Sequence, residues 1–144
     1  LFRSCYAMMV GESEIADEAY YGVVEFTFVC FDPYFYGEEH SIALTNGATV
    51  SFNVQGAVEA YPVLELTATT TSVTITNAVS ADYVRIPGTA NGSKVTVDME
   101  RQVATIGSAY APVDLASDFF SVEGAAKVRL SGASGTLKYK ERFI

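Results

Sequence analysis

The chain has 144 residues, of which 49% are hydrophobic and 18% are charged, and its formal net charge at pH 7 is -8. This length suits one domain with its own core, and the composition is that of a globular protein, which excludes the disordered class. No apolar run approaches the roughly eighteen residues that a membrane-spanning helix needs, and the acidic balance argues against nucleic-acid binding because phosphate backbones would be repelled.

The N-terminal part of the sequence, residues 1–31, predicts one β-hairpin. Residues 2–10 and 21–30 are apolar-rich strands, and the acidic residues 12–18 form a connector that we expect to be solvated and mobile. The second strand carries apolar side chains on both faces, so we expect another element to cover at least one of them. Because the chain opens at Leu1 without an initiator Met, we also expect it to be a piece of a longer protein.

The acidic connector suggests a calcium site, since carboxylate oxygens suit this hard cation. The side chains lack the Asp-x-Asp-x-Asp-Gly spacing of a preformed calcium loop, so we interpret them as a solvated connector. They are Glu12, Glu14, Asp17 and Glu18.

The two cysteines, Cys5 and Cys30, lie one in each strand of the predicted hairpin. They could in principle form a disulfide. A chain of this size with two cysteines is not a disulfide scaffold, however, and a reduced, buried cysteine is the commoner case. We therefore favour free thiols.

An aromatic segment, residues 31–37, follows the hairpin and marks a domain boundary. Pro33 restricts Asp32 to extended geometry, which is typical of a link between units. The predicted organisation is a partial unit over residues 1–31 and a complete domain over residues 32–144.

From residue 42 onward the dominant periodicity is two, which predicts short antiparallel strands with one buried face. Turn-forming sequences separate these strands at residues 45–47, 91–93 and 131–135. Many short strands with regular turns predict an all-β antiparallel sandwich. The predicted strands cover residues 42–44, 49–55, 62–67, 72–76, 83–86, 94–98, 102–106, 126–130 and 136–143. Residues 114–120 have room for one helical turn, although Ser117 or Asp118 could equally shape a loop there.

Candidates for catalysis are sparse, with one His, two Cys and no Gly-rich phosphate loop. His40 follows Glu38 and Glu39, but adjacent side chains on an extended segment point to opposite faces, which argues against a metal site. Three carboxylates, Asp98, Glu100 and Asp118, suggest a glycosidase pair. We favour a polar hairpin over residues 98–101 instead, and we predict no catalytic, metal or cofactor site.

Two groups of residues are candidates for intermolecular contacts. The aromatic group is Tyr20, Tyr21, Tyr34, Phe35 and Tyr36, which we interpret mainly as packing between the hairpin and the sandwich because tyrosine is common at such seams. The basic group is Lys138, Lys140 and Arg142, which alternate with Leu137, Tyr139 and Phe143. This alternation predicts a strand with one basic and one largely apolar face. The basic face is either simply solvated or contacts an acidic neighbouring subunit, and the sequence leaves both open.

From residue 26 to the C-terminus the order of segments resembles the distal tail protein family of long-tailed bacteriophages and prophages. The strand and Asp-Pro-Tyr turn of residues 26–37 are similar to the family's junction between domains. The remaining segments follow in the family's order and are residues 56–65, 73–77, 95–98, 103–107, 117–120 and 137–143. The chain departs from the family at Val122-Glu123-Gly124, where Pro-Gly is typical, and at Glu141-Arg142, where Pro-Arg is common.

The resemblance implies a galectin-like, jelly-roll-like sandwich preceded by the last hairpin of a ring-forming N-terminal domain. It implies a non-enzymatic structural protein of the phage tail tip, made in the bacterial cytoplasm, which forms a ring and joins the tail tube to the baseplate hub or fibre. It implies protein partners and no cofactor, nucleic acid or membrane. The alternative function is a carbohydrate-binding module that aids adsorption to the host, and a glycan-degrading enzyme is the third hypothesis.

Overall fold

A computed structural model describes residues 3–11, 15–17, 22–24 and 26–144. All regular secondary structure in these residues is β-strand. The all-β prediction is therefore confirmed. None of these residues belongs to a helix that could span a membrane. The strands are β1 Ala7–Val10, β2 Ile15–Asp17, β3 Gly22–Val24, β4 Thr27–Cys30, β5 Phe35–Leu44, β6 Thr49–Val54, β7 Val63–Ala68, β8 Ser72–Asn77, β9 Tyr83–Pro87, β10 Lys94–Asp98, β11 Val103–Ile106, β12 Ala109–Tyr110, β13 Gly124–Ser131 and β14 Ala133–Phe143.

Two antiparallel sheets form the sandwich. The larger sheet has six strands in the order β12-β11-β10-β7-β14-β5, and the smaller has four in the order β6-β13-β8-β9. Side chains from the inner faces of both sheets form one hydrophobic cluster, which shows that the sheets pack face to face. The predicted antiparallel sandwich is confirmed.

The alternating pattern of the sequence places every second side chain in this core. In β8 Val73 and Ile75 are fully buried, whereas Ser72, Thr74 and Thr76 are partly exposed. Across the larger sheet Leu64 of β7 lies between Val97 of β10 and Leu137 of β14, and all three are fully buried. Burying a Leu or Val side chain contributes about 1.5–3 kcal/mol, so this row is a main source of stability.

Three glycines with positive φ connect a strand of one sheet to a strand of the other. Gly47 has φ 78°, Gly92 has φ 88° and Gly132 has φ 82°. Glycine adopts this region without the steric cost that other residues meet. The turns predicted at residues 45–47 and 91–93 are confirmed.

The turn predicted over residues 131–135 is wrong beyond Gly132, because β14 already begins at Ala133. Gly135 lies within this strand, opposite Leu44 of β5 and Leu66 of β7. A Cβ atom at Gly135 would collide with the backbone oxygen of Glu65. The glycine is therefore needed for close approach of two strands, which the sequence alone does not distinguish from a turn.

The N-terminal strands pair outside the sandwich. β1 pairs with β4 from Ala7–Cys30 to Val10–Thr27, and β2 pairs with β3 inside the connection between them. The connector predicted over residues 12–18 is thus wrong at its end, where residues 15–17 form a strand. Residues 12–14 and 18–21 lie outside the described residues.

Both faces of β4 are exposed, so the expectation that another element of this chain covers one face is wrong for residues 27–30. Phe28 is 63% exposed, and Met8 and Phe26 are also more than half exposed. Cys5 and Cys30 are free, as expected, but they are exposed and not buried. The assignment of residues 1–31 to a separate domain stays a prediction.

The aromatic segment is only partly a link. Phe35, Tyr36 and Gly37 begin the ten-residue strand β5, which runs along β14 at the edge of the larger sheet. The strand predicted at residues 42–44 is therefore its final part. Glu38, Glu39 and His40 interrupt the apolar alternation, because their part of β5 does not contribute to the core.

Residues 114–120 form no helix. A single turn is closed by the Ser117 N–H, which donates to the Asp114 carbonyl at 2.9 Å. The Ser117 hydroxyl accepts the Arg85 N–H at 2.9 Å, so the loop-shaping alternative is confirmed for Ser117. The hairpin predicted over residues 98–101 is also confirmed, although Met99 within it is buried in the core.

Candidate interaction surface on the six-stranded sheet

A groove with a cavity volume of about 330 Å³ lies on the outer face of the six-stranded sheet. Strands β5, β7 and β14 and the hairpin between β10 and β11 line it, and we call it the sheet groove. Its lining brings together Tyr36, Lys138, Lys140 and Arg142 from the two groups predicted as contact residues. Tyr34 packs on Arg142 at the end of the groove, whereas Phe35 is not part of its lining.

Strand β14 supplies the cations because it is half-buried. Leu137 and Tyr139 point into the core, and the alternate side chains Lys138, Lys140 and Arg142 point into the sheet groove. The predicted basic face therefore exists as one face of a strand. Phe143 does not enter the core and is half-buried, with the Arg3 guanidinium 4.1 Å from its ring centre.

A register shift between β5 and β14 brings Tyr36 to the same face. Lys140 pairs with Glu39 but Arg142 pairs with Tyr36, so two residues of β5 lie opposite Glu141 of β14. A bulge of this kind reverses which side chains share a face. Tyr36 and Glu39 consequently line the sheet groove together.

Arg142 is the centre of an aromatic cluster at one end of the groove. Its guanidinium carbon lies 4.2 Å from the ring centre of Tyr34, 5.5 Å from that of Tyr61 and 5.9 Å from that of Tyr36. Its side chain is only 12% exposed, and one terminal nitrogen lies 3.8 Å from a Glu100 carboxylate oxygen. Its Nε is buried without a hydrogen-bond partner in the described residues. Cation–π contacts of this kind contribute about 0.5–2 kcal/mol each, so the guanidinium is held by rings as much as by charge.

The backbone of Arg142 is fixed as well. Its carbonyl accepts the N–H groups of Ala57 and Val58 at 2.9 and 3.3 Å. Gly56 packs directly on this peptide, because a Cβ atom there would lie 2.7 Å from the Arg142 carbonyl oxygen. Arg142 is thus positioned before any partner arrives, which lowers the entropy cost of binding.

The groove carries charges of both signs. Lys138 Nζ lies 2.9 Å from Glu65 Oε2, and this neighbour raises the pKa of Lys138 by hydrogen bonding and by its charge. Arg142 is near Glu100, and Glu39 also lines the groove. The face predicted to be basic is therefore balanced by carboxylates from neighbouring strands.

Comparison with known proteins identifies the family. Residues 55–143, more than half of the chain, match the family model described as siphovirus-type tail component, C-terminal domain. The chain belongs to this phage tail component family. The resemblance to distal tail proteins is therefore confirmed, and the chain is a component of a phage tail. No curated protein matches its sequence.

The fold of this tail component also matches a solved structure. This is the crystal structure of the SPP1 Dit (gp 19.1) protein, described as a paradigm of the hub adsorption apparatus in phages that infect Gram-positive bacteria. The TM-score is 0.80 at 16% sequence identity, and the match covers 99% of this chain and 61% of the SPP1 protein. At this identity the likeness establishes the fold. The chain spans less than two thirds of the SPP1 protein.

In the tail component the aromatic segment also holds Asp32. The Tyr36 hydroxyl donates to Asp32 Oδ2 at 2.6 Å, and the Tyr34 N–H donates to Asp32 Oδ1 at 3.1 Å. The hydrogen bond from the Tyr36 hydroxyl is the main cause of the lowered pKa of Asp32. The same hydrogen bond raises the pKa of Tyr36. The ring of Tyr36 meets Tyr6 edge-on at 6.1 Å, so this segment connects the N-terminal hairpin to the sheet groove. Tyr20 and Tyr21 lie outside the described residues.

We predict that Tyr36→Phe lowers the free energy of unfolding of the tail component, and that the loss is largest at neutral pH. A carboxyl whose pKa is lower in the folded state stabilises that state above its unfolded pKa, and this contribution is lost as pH falls through the folded pKa. The difference in free energy of unfolding between wild type and Tyr36→Phe should therefore shrink below the usual Asp pKa of 3.8. Urea unfolding of both proteins at a series of pH values measures it.

The control for this prediction is Tyr34→Phe, which keeps the backbone N–H that Tyr34 donates to Asp32. An NMR titration should show the pKa of Asp32 rising toward its usual value in Tyr36→Phe and staying low in Tyr34→Phe. Equal Asp32 titrations in wild type and Tyr36→Phe would show that the hydroxyl is not the cause.

The other candidate residues lie apart from the groove. His40 stacks on Tyr139 with ring centres 5.1 Å apart, and its Nε2 lies 3.8 Å from Glu141. Because successive side chains of a strand point to opposite faces, His40 and Glu38 line a cleft on the opposite side of β5 from Glu39. In the described part of the chain no three His, Cys, Asp or Glu residues are grouped to hold a metal ion.

The suggested carboxylate pair also separates into structural roles. Asp98 Oδ1 accepts the N–H groups of Glu100 and Arg101 at 3.1 and 3.0 Å, which closes the hairpin. Asp118 is exposed on a loop. In the acidic connector, Asp17 lies in β2, whereas Glu12, Glu14 and Glu18 lie outside the described residues.

Proposed function

We propose that this tail component is a structural part of the tail tip, a distal tail protein that joins the tail tube to the baseplate hub or fibre. The family match over residues 55–143 carries the proposal. The SPP1 protein of the same fold is described as part of a hub adsorption apparatus, which supports a place at the tail tip. The protein is made in the bacterial cytoplasm and becomes part of the virion.

The sheet groove is the surface we assign to a neighbouring tail protein. Tyrosine and arginine dominate binding energy at protein interfaces, and here three tyrosines surround one positioned arginine. The charges of the groove are of both signs, so the partner is expected to present both an acidic and a basic group. Complementary charges at the rim set orientation and specificity more than affinity.

The N-terminal hairpin belongs, in this proposal, to the ring-forming part of a longer protein. Exposed apolar side chains on this hairpin support the proposal. Met8 lies in β1, Phe28 in β4 and Phe26 just before β4. Large apolar side chains in a two-stranded sheet require another protein surface to bury them. The SPP1 protein extends well beyond the matched region, which supports the presence of further chain. The ring then forms in the full-length protein.

We also propose that the protein acts without catalysis. Two of the three candidate carboxylates have structural uses that support this: Asp98 closes a hairpin, and Glu100 lies beside Arg142. A catalytic pair needs one carboxyl group free to donate or accept a proton at the bond being broken.

A second candidate function, glycan binding, is favoured by one observation. The sheet groove is open and offers Tyr36 and Tyr61 beside the Lys138–Glu65 pair. Sugar rings stack on aromatic side chains while charged groups bind their hydroxyls. Such a module would aid adsorption of the phage to its host.

The test measures binding to the purified tube and hub proteins of the same tail. Arg142→Ala should weaken binding to one of them by about tenfold to a hundredfold, because it removes the centre of the cluster. The matched control is Arg129→Ala, which removes an exposed arginine from the outer face of the smaller sheet. It should change the affinity by less than about twofold.

Binding measurements on wild type, Tyr61→Ala and Arg142→Ala distinguish the structural function from glycan binding. Binding to host cell-wall polysaccharide that Tyr61→Ala abolishes, combined with equal binding of Arg142→Ala and wild type to the tail proteins, would establish the glycan function instead. Absence of binding to every tail protein by wild type would contradict the structural proposal itself.

A further inference from the structure

The two cysteines form a close pair at the N-terminal hairpin. Cys5 Sγ lies 3.7 Å from Cys30 Sγ, and both residues are exposed. Cys30 is the last residue of β4 and pairs with Ala7, so Cys5 is its diagonal neighbour just before β1. A disulfide has an S–S distance of about 2.0 Å, so the two exposed side chains must move together from their distance of 3.7 Å to form the bond. Spacing in the sequence did not predict this proximity.

We propose that Cys5 and Cys30 are a redox-active dithiol that closes into an intrachain disulfide. With glutathione disulfide as oxidant, one protein thiolate attacks the oxidant, forming a mixed disulfide and releasing one glutathione thiolate. The second protein thiolate attacks the protein sulfur of that mixed disulfide and releases the second glutathione thiolate. The two protein thiols lose two protons and two electrons, and the glutathione disulfide is reduced to two thiols.

The pair is placed where its closure would act on Tyr36. Ser4, next to Cys5, exchanges backbone hydrogen bonds with Tyr36 at 3.0 and 2.8 Å. Tyr6, on the other side of Cys5, packs against the Tyr36 ring. Cys30 is two residues before Asp32, whose carboxylate accepts the Tyr36 hydroxyl.

The disulfide would therefore join the two segments that hold Tyr36 at the end of the sheet groove. It acts as a covalent clamp on the junction between the hairpin and the sandwich. Opening of that junction requires Ser4 and Asp32 to separate from Tyr36, and a bond between Cys5 and Cys30 ties the two segments together during the opening. The pKa of Cys30 is raised because its thiol hydrogen-bonds with Cys5, so oxidation should be faster at alkaline pH.

The experiment treats the full chain with glutathione disulfide and then alkylates the remaining thiols for mass spectrometry. Wild type should lose both thiols, bind no glutathione, and lose two hydrogen atoms in mass. Cys5→Ser and Cys30→Ser should each stop at the mixed disulfide. In wild type the second thiol is already adjacent to the mixed disulfide. The mixed disulfide of wild type should therefore resolve more than about tenfold faster than the mixed disulfide of either variant reacts with a thiol of another protein molecule.

Stable glutathione adducts on both cysteines of wild type, or disulfide-linked dimers in place of the intrachain bond, would overturn the proposal. Hydrogen exchange tests the clamp separately. The Ser4 and Tyr36 amides should exchange about tenfold more slowly in the oxidised than in the reduced protein, and this difference should vanish in the Cys5→Ser Cys30→Ser double variant. Equal exchange in the two redox states would show that the bond does not hold Tyr36.

Discussion

Gly132→Ala should destabilise the sandwich by more than about 2 kcal/mol, because two separate costs add at this position. The residue has φ 82°, where an L-residue meets a steric penalty of about 1–2 kcal/mol. A Cβ atom there would also collide with the Ser72 carbonyl oxygen and the Thr70 hydroxyl. Neither neighbour can withdraw freely, since Ser72 is part of β8 and the Thr70 hydroxyl donates to the Ser72 carbonyl at 2.7 Å.

The backbone of Gly132 adds to this cost because it connects three corners of the sandwich. Its N–H donates to Asn46 Oδ1 at 2.8 Å, and its carbonyl accepts the Thr69 N–H at 2.8 Å. A displacement that relieved the collision would lengthen these bonds. Gly132→Ala is therefore expected to lower the urea midpoint of unfolding without changing the slope, as in a loss of stability with the same unfolded state.

Gly92→Ala is the matched control for this prediction. Gly92 has φ 88°, but nothing lies within 4 Å of the position that a Cβ atom would occupy. Only the conformational penalty applies there, so the loss should be about 1–2 kcal/mol. Equal losses in the two variants would show that the collision at Gly132 is relieved by a small shift.

The sandwich was predictable because its signals are local. Val73 and Ile75 alternate with polar residues, and a half-buried strand is the regular structure with that period. Asn46-Gly47 and Asn91-Gly92 predict reversals because Gly tolerates positive φ. These local signals do not show which sheet each strand joins, because the same turn sequences occur in hairpins and in connections between two sheets.

The sheet groove was only half predictable for the same reason. The alternation of β14 placed Lys138, Lys140 and Arg142 on one face. Every second residue of β7 and of the segment before it, namely Tyr61, Val63 and Glu65, also shares one face, and this pattern could have identified Tyr61 as a neighbour of those cations. Tyr61 was not among the predicted contact residues. Glu100 had no comparable signal, because its proximity to Arg142 depends on how two distant segments pack.

The register shift opposite Glu141 determines which face of β5 Tyr36 occupies. Strict alternation would place Tyr36 on the face of Glu38 and His40, but the shift places it beside Glu39. Bulges depend on pairing with the partner strand and leave little trace in one sequence. The proximity of Cys5 and Cys30 also depends on pairing, since the distance between them is set by the register of β1 with β4.

Leu64→Ala is expected to destabilise the protein by about 2–5 kcal/mol, the range for truncating a fully buried leucine. Leu64 lies in the middle of the six-stranded sheet, with Val97 on one side and Leu137 on the other. These neighbours belong to strands that are hydrogen-bonded on both sides, so they cannot collapse into the cavity. Equilibrium unfolding in urea measures the loss.

Val63→Ala is its control, because the adjacent residue of the same strand points into the sheet groove. Val63 is only half-buried, and its truncation should cost less than about 1.5 kcal/mol. If both variants lost the same stability, the outer face of β7 would be packed like the core, and the groove could not accept a partner without opening the fold. If only Leu64→Ala is destabilised, the outer face of β7 can be changed while the sandwich remains folded. Arg142 contacts three tyrosine rings, so urea unfolding of Arg142→Ala itself decides whether its effect on partner binding comes from the surface or from a loss of stability.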